Sequence, residues 1–142
     1  MGAHVADLLR MIDDWSETGT RRAELRFLAL VHDSLKFQVE DRLPKTGDND
    51  HAVRARRLAE RYTDDERLLA IIEEHDRPYR MWRRLRRTGQ LDEESFEDML
   101  ERVGDPGLFL RFVELDGSTK GKNPEPVAWF RDELRRRGLA EG

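Results

Sequence analysis

Apolar residues recur along the chain at intervals of three and four, the spacing that gathers side chains on one side of a helix. Over about residues 3–16 this puts Val5, Leu8, Leu9, Ile12 and Trp15 together, and SETGT closes the segment. A second helix is expected over about residues 21–37, with Leu25, Phe27, Leu28, Leu30, Val31 and Leu35. Apolar on most sides, it is expected in the middle of the fold. The stretch RLPKTGDND is the longest polar break and predicts a loop beside a site rather than a linker between domains. Ala52, Ala55, Leu58 and Ala59 then form a face of small residues. Thr63 and Glu66 have capping-box spacing, opening a helix that carries Leu68, Leu69, Ile71 and Ile72. Asp105-Pro106 and Asn123-Pro124 each set a capping side chain before a proline, which the first helical turn tolerates because its N–H has no partner there anyway. The last helix, about residues 124–137, passes through Trp129, Phe130 and Leu134 and is expected to stop at Gly138. No segment alternates as a strand would, and no repeat or low-complexity tract interrupts the pattern. The expected fold is all-α, one compact helical bundle forming a single domain over residues 1–142.

Composition narrows the functions open to such a bundle. Charged residues make up 39% and apolar residues 37%, but the apolar ones are clustered periodically, which fits a small globule with a charged surface rather than a disordered tail. The formal net charge of -4 points away from wrapping DNA, which calls for a basic balance. With no cysteine in the chain, any metal must be held by histidines and carboxylates. No apolar run is long enough to span a bilayer, and acidic residues stand where a secretion signal would be basic, so a cytoplasmic, membrane-free protein is expected.

The four histidines all fall on predicted helices or at their ends. His32 follows the apolar run LALV and is followed at once by Asp33, which sets an imidazole and a carboxylate at the inner end of an apolar helix. Burying that pair without partners is expensive. Consecutive helical residues point about 100° apart, so the two side chains share a target only off the helix flank. A metal ion satisfies both.

The run LALVHDSLK resembles the signature of the HD-domain superfamily of metal-dependent phosphohydrolases. The family's order is an early histidine, the His-Asp pair, often two further histidines, and a distant aspartate. This chain supplies His4, His32-Asp33, His51, His75 and finally Asp116 within FVELDGSTK, so the resemblance covers roughly residues 3–117. A second His-Asp dipeptide, His75-Asp76, shows how little the dipeptide specifies alone; the first is preferred because it ends an apolar run and precedes Lys36, where the family often has a phosphate-facing lysine. Leu35 stands where many members have glycine, which points away from the branch that cleaves cyclic dinucleotides. The resemblance implies that His4, His32, Asp33 and Asp116 hold one ion. His51 and His75 would serve a second, with Asp33 bridging. Imidazole and carboxylate donors without sulfur suit Mn, Fe, Zn, Co or Ni, one ion or two. Such an ion turns bound water into a nucleophile for attack on phosphorus. His32, Asp33 and Lys36 are then the expected catalytic residues.

Two basic regions are candidates for gripping phosphate. RPYRMWRRLRR puts Arg80, Arg83, Arg84 and Arg87 at helical spacing, and GSTKGKN offers Lys120 and Lys122 in a glycine-rich loop after Asp116. Glu40, Asp41, Glu73 and Glu74 are near the site in sequence, but spacing nominates none of them as a general acid. The function expected is hydrolysis of a phosphate ester or anhydride of a small molecule, a nucleotide above all. Two alternatives remain: a di-iron oxygenase of the same fold, and a non-catalytic nucleotide- or RNA-binding module using the arginine helix. The oligomeric state is left open.

Overall fold

A computed structural model describes residues 3–14, 19–32, 51–118 and 122–140; the side chains of Ala3, His4, Val5, Asp14 and His51 lie outside that description. Among the described residues there are eight helices and no strand: α1 (Ala3–Asp14), α2 (Gly19–Val31), α3 (His51–Ala59), α4 (Glu66–Glu74), α5 (Arg77–Thr88), α6 (Glu93–Val103), α7 (Pro106–Gly117) and α8 (Glu125–Arg136). None is long and apolar enough to cross a membrane.

The punctuation seen in the sequence works as expected at some helix ends and shifts at others. Asp105 caps α7 by accepting from the Leu108 N–H at 3.1 Å, with Pro106 opening the helix. Before α4 the cap is Asp65 rather than Thr63: Asp65 accepts from the Arg67 N–H, while Thr63 Oγ1 accepts from the Asp65 N–H and fixes the preceding turn. Two acceptors compete for this helix start, and the one nearer the first helical N–H groups takes them. Asn123 accepts from the Glu125 N–H, so Pro124 stands just outside α8 rather than in its first turn. The last helix ends at Arg136, and Gly138 turns the chain with φ of 74°.

One hydrophobic cluster joins the helices, built on Phe96, Phe109, Phe112 and Phe130 with Leu8 and Ile12 from α1, Leu25 and Leu28 from α2, and Ile71 and Ile72 from α4. The central helix is α7, not α2. Leu108, Phe109, Leu110, Phe112, Val113, Leu115, Asp116 and Gly117 are all buried, and α7 touches α1, α2, α6 and α8. On α2, by contrast, Leu30 is 40% exposed, and Arg22 and Arg26 on its outer side reach Asp13 of α1. The sequence of α7 carries fewer charges per turn, which lets it be enclosed on most sides.

Candidate metal centre

Three helix ends meet at the candidate residues. His32 follows α2 directly, His75 caps the end of α4, and Asp116 stands in the last turn of α7; all three are buried. A helix C-terminus leaves carbonyls that the helix itself does not use, and both imidazoles bond to them. His32 Nδ1 lies 2.9 Å from the Ala29 carbonyl and 3.2 Å from that of Leu28. His75 Nδ1 lies 2.7 Å from the Ile72 carbonyl. Carbonyls only accept, so each Nδ1 carries the proton and each ring turns its Nε2 away from its own helix. His32 Nε2 then faces Asp116 Oδ1 at 3.3 Å, and His75 Nε2 faces Asp76 Oδ1 at 3.4 Å. The two rings stand edge to face with centroids 5.3 Å apart, and Phe112 packs against both.

A buried imidazole nitrogen facing a carboxylate oxygen calls for a proton or a metal cation between them. The His32–Asp116 separation is longer than the roughly 2.7–3.2 Å of an ordinary N–H···O bond. It falls within the about 3.0–3.4 Å expected of two donors each about 2.1 Å from one ion at tetrahedral to octahedral angles. The donor set therefore fits a divalent transition metal. Anchoring of each Nδ1 to a backbone carbonyl is also the outer support that metal-binding histidines have. Among the described residues no group of three or more His, Asp or Glu side chains converges as a metal site. Of the expected ligands, Asp33 and the side chains of His4 and His51 lie outside the described residues, as do Lys36 and Lys120.

Lys122 brings its ammonium to 3.8 Å from Asp116 Oδ1. Arg80 and Arg84 lie elsewhere: with Arg77, Met81, Asp92 and Ser95 they line a cleft of about 180 Å³ between α5 and the start of α6. Neither makes an ion pair or hydrogen bond with His32, His75 or Asp116. Glu73 pairs with Arg56 and Glu74 with Arg77, both at 3.1 Å, so these two carboxylates tie helices together.

Tyr79 and Asp76 were not foreseen as site residues. Tyr79 donates to the Val113 carbonyl at 3.4 Å. Burial, followed by the negative charges of Asp116 and Asp76, pushes its phenol well above the usual tyrosine range, so it stays protonated. The second His-Asp dipeptide and a tyrosine one helical turn beyond it were the available signals. Gly117 completes the site's support. A Cβ there would meet Val127 Cγ2 at 2.3 Å and the Tyr79 hydroxyl at 2.9 Å, so α7 approaches α5 and α8 this closely only with glycine.

The described residues thus form an all-helical bundle in which one buried imidazole, His32, faces one buried carboxylate, Asp116, where the ends of α2 and α7 meet. The HD domain family model matches residues 3–103, and the chain belongs to that family. HD domains form a superfamily of metal-dependent phosphohydrolases that hold divalent metals. The match spans the positions of His4, His32, Asp33, His51 and His75 and ends before α7, so Asp116, expected from the sequence, lies outside it, and the fold sets it beside His32. Comparisons with curated proteins and with solved structures gave no match.

Proposed function

We propose that the chain is a metal-dependent phosphohydrolase acting on a phosphate ester or anhydride of a nucleotide. The observation that carries this is the buried approach of His32 Nε2 to Asp116 Oδ1 at 3.3 Å, with the imidazole oriented by the Ala29 carbonyl. His32, Asp33, Asp116 and His4 would hold the first ion, with His51 and His75 available to a second. The metal would supply a water activated at neutral pH and positive charge for the departing oxygen. Lys122, whose ammonium lies 3.8 Å from Asp116 Oδ1, is assigned to bind a phosphoryl oxygen. Lys36 and Lys120 are assigned the same phosphate-binding role from their sequence positions.

The test is elemental analysis of freshly purified protein, followed by a panel of nucleotides with wild type, Asp33→Ala and Asp116→Ala. Wild type is expected to carry Mn, Fe, Zn, Co or Ni and to release phosphate or a nucleotide product, with both variants at least ~100-fold slower, as loss of a ligand or its support implies. A wild type that hydrolyses nothing the variants leave intact refutes the proposal.

A further inference from the structure

The cleft between α5 and α6 lies on a different side of α5 from the metal centre. Successive helical residues turn by about 100°, so Arg80 stands about 100° and Arg84 about 140° around the helix from Tyr79. Met81, buried, forms the cleft's apolar floor. Arg77 is fixed and neutralised there: Nη1 reaches Glu74 and Asp98, each at 3.1 Å, and Nη2 donates to Ser95 Oγ at 2.9 Å. Ser95 accepts with its oxygen, which leaves its own proton to donate into the cleft. Arg84 reaches Asp92 only at 3.5 Å. Arg80, between Arg77 and Arg84 along the helix, faces the cleft with no carboxylate partner among the described residues.

Elsewhere arginines tie helices together through carboxylates, as Arg67 does by meeting Glu24, Asp65 and Asp105 together. Helix α5 has six arginines and no acidic residue in a chain whose net charge is -4. Guanidinium forks and a hydroxyl donor around a pocket are the recognition set for phosphate oxygens. The volume of about 180 Å³ is below the roughly 300–1,000 Å³ of sites that enclose a whole small molecule, so it takes a charged group rather than a complete nucleotide.

We propose that this cleft is a second, non-reacting anion site that binds a phosphate group through Arg80, Arg84 and Ser95. The phosphate is carried either by a free polyphosphate compound or by an RNA strand lying along the exposed Arg83 and Arg87. The site is independent of the metal pair, so its failure would leave the proposed activity standing.

The test is calorimetric titration of the full chain at low salt with tripolyphosphate and with an eight-nucleotide oligouridylate, repeated after chelation and in His32→Ala. Saturable binding is expected to survive both treatments and to weaken at least tenfold in the double variant Arg80→Gln/Arg84→Gln. Arg61→Gln, an exposed arginine away from the cleft, should bind as wild type does. Arginine side-chain nitrogen resonances of Arg80 and Arg84 should shift on saturation. Both cleft arginines are exposed, and a melting curve matching wild type shows that the double variant is folded. An oligouridylate that binds more tightly than tripolyphosphate, with a steeper salt dependence, assigns the phosphate to a strand; equal affinity assigns it to a free compound. Absence of saturable binding, binding untouched in the double variant, or binding abolished by chelation overturns the proposal.

Discussion

Replacing Gly117 with alanine tests how the buried His32–Asp116 pair is supported. The added Cβ would lie 2.3 Å from Val127 Cγ2 and 2.9 Å from the Tyr79 hydroxyl, whereas nonbonded carbons rest at about 3.5–4.0 Å. Val127 would have to retreat by about 1 Å or more. It is β-branched, helical and only 6% exposed, so no rotamer change absorbs the shift, and α7 and α8 must move apart. Overpacking of this kind costs about 1–3 kcal/mol and sometimes more. The better helix propensity of alanine returns only about 1 kcal/mol. With two neighbours struck at once the upper end applies, leaving a net loss of about 2 kcal/mol and, for a chain of this size, a fall in Tm of roughly 4–8 °C. Urea unfolding of Gly117→Ala, Val127→Ala and the double variant checks the cause. Removing the Val127 methyls opens the space, so the added cost of Gly117→Ala in that background should fall below about 1 kcal/mol, far from additive. Gly117→Ala as stable as wild type, or costs that add within about 0.5 kcal/mol, would refute the close approach of α7 to α8. Because Asp116 is the preceding residue, the single variant should also retain less metal, and Val127→Ala should restore part of it.

Further outcomes follow from the same structure. Asp105→Ala removes the cap on the Leu108 N–H and the 2.7 Å bond from Arg67, and chemical denaturation should show a loss of about 1–2 kcal/mol, with Asp105→Asn losing less. The side-chain bond from Arg67 holds the Asp65 carboxyl below its ordinary value of 3.8, and that from Arg77 does the same for Asp98. A depressed folded-state pKa gives stability that is complete above the unfolded value and is lost as pH falls through the folded one. The urea midpoint should therefore drop below pH 3.8, and the double Asn variant should drop less between neutral and acid pH; an identical drop would contradict this. The effect should be small, since both carboxylates are exposed to solvent. The Tyr79 phenol, raised by burial and by Asp116 and Asp76, should stay protonated in the native state, so Tyr79→Phe should leave the ultraviolet titration of the folded protein across about pH 9–11 unchanged.

Some of this architecture was legible one segment at a time. Apolar periodicity locates the helices because each residue's direction on a helix depends only on its neighbours within a turn or two. Asp105 before Pro106 fixes the start of α7 for the same local reason, and the His32-Asp33 pair at the end of an apolar run, with the other histidines in order, announces the family before any contact is known.

What the chain could not declare locally depends on which helices pack together. Asp116 becomes a partner of His32 only because α7 crosses the end of α2, and the glycine after it is obligatory only because Val127 of α8 and Tyr79 of α5 close on that spot. The place of α7 at the centre, in preference to the equally apolar-looking α2, was settled by competition among helices for burial. The arginines of α5 share a stretch of sequence with His75, yet a rotation of about 100° per residue sends Arg80 and Arg84 to a different face. Helical pattern is a property of neighbours along the chain; the convergence of donors on one point belongs to packing between segments far apart in it.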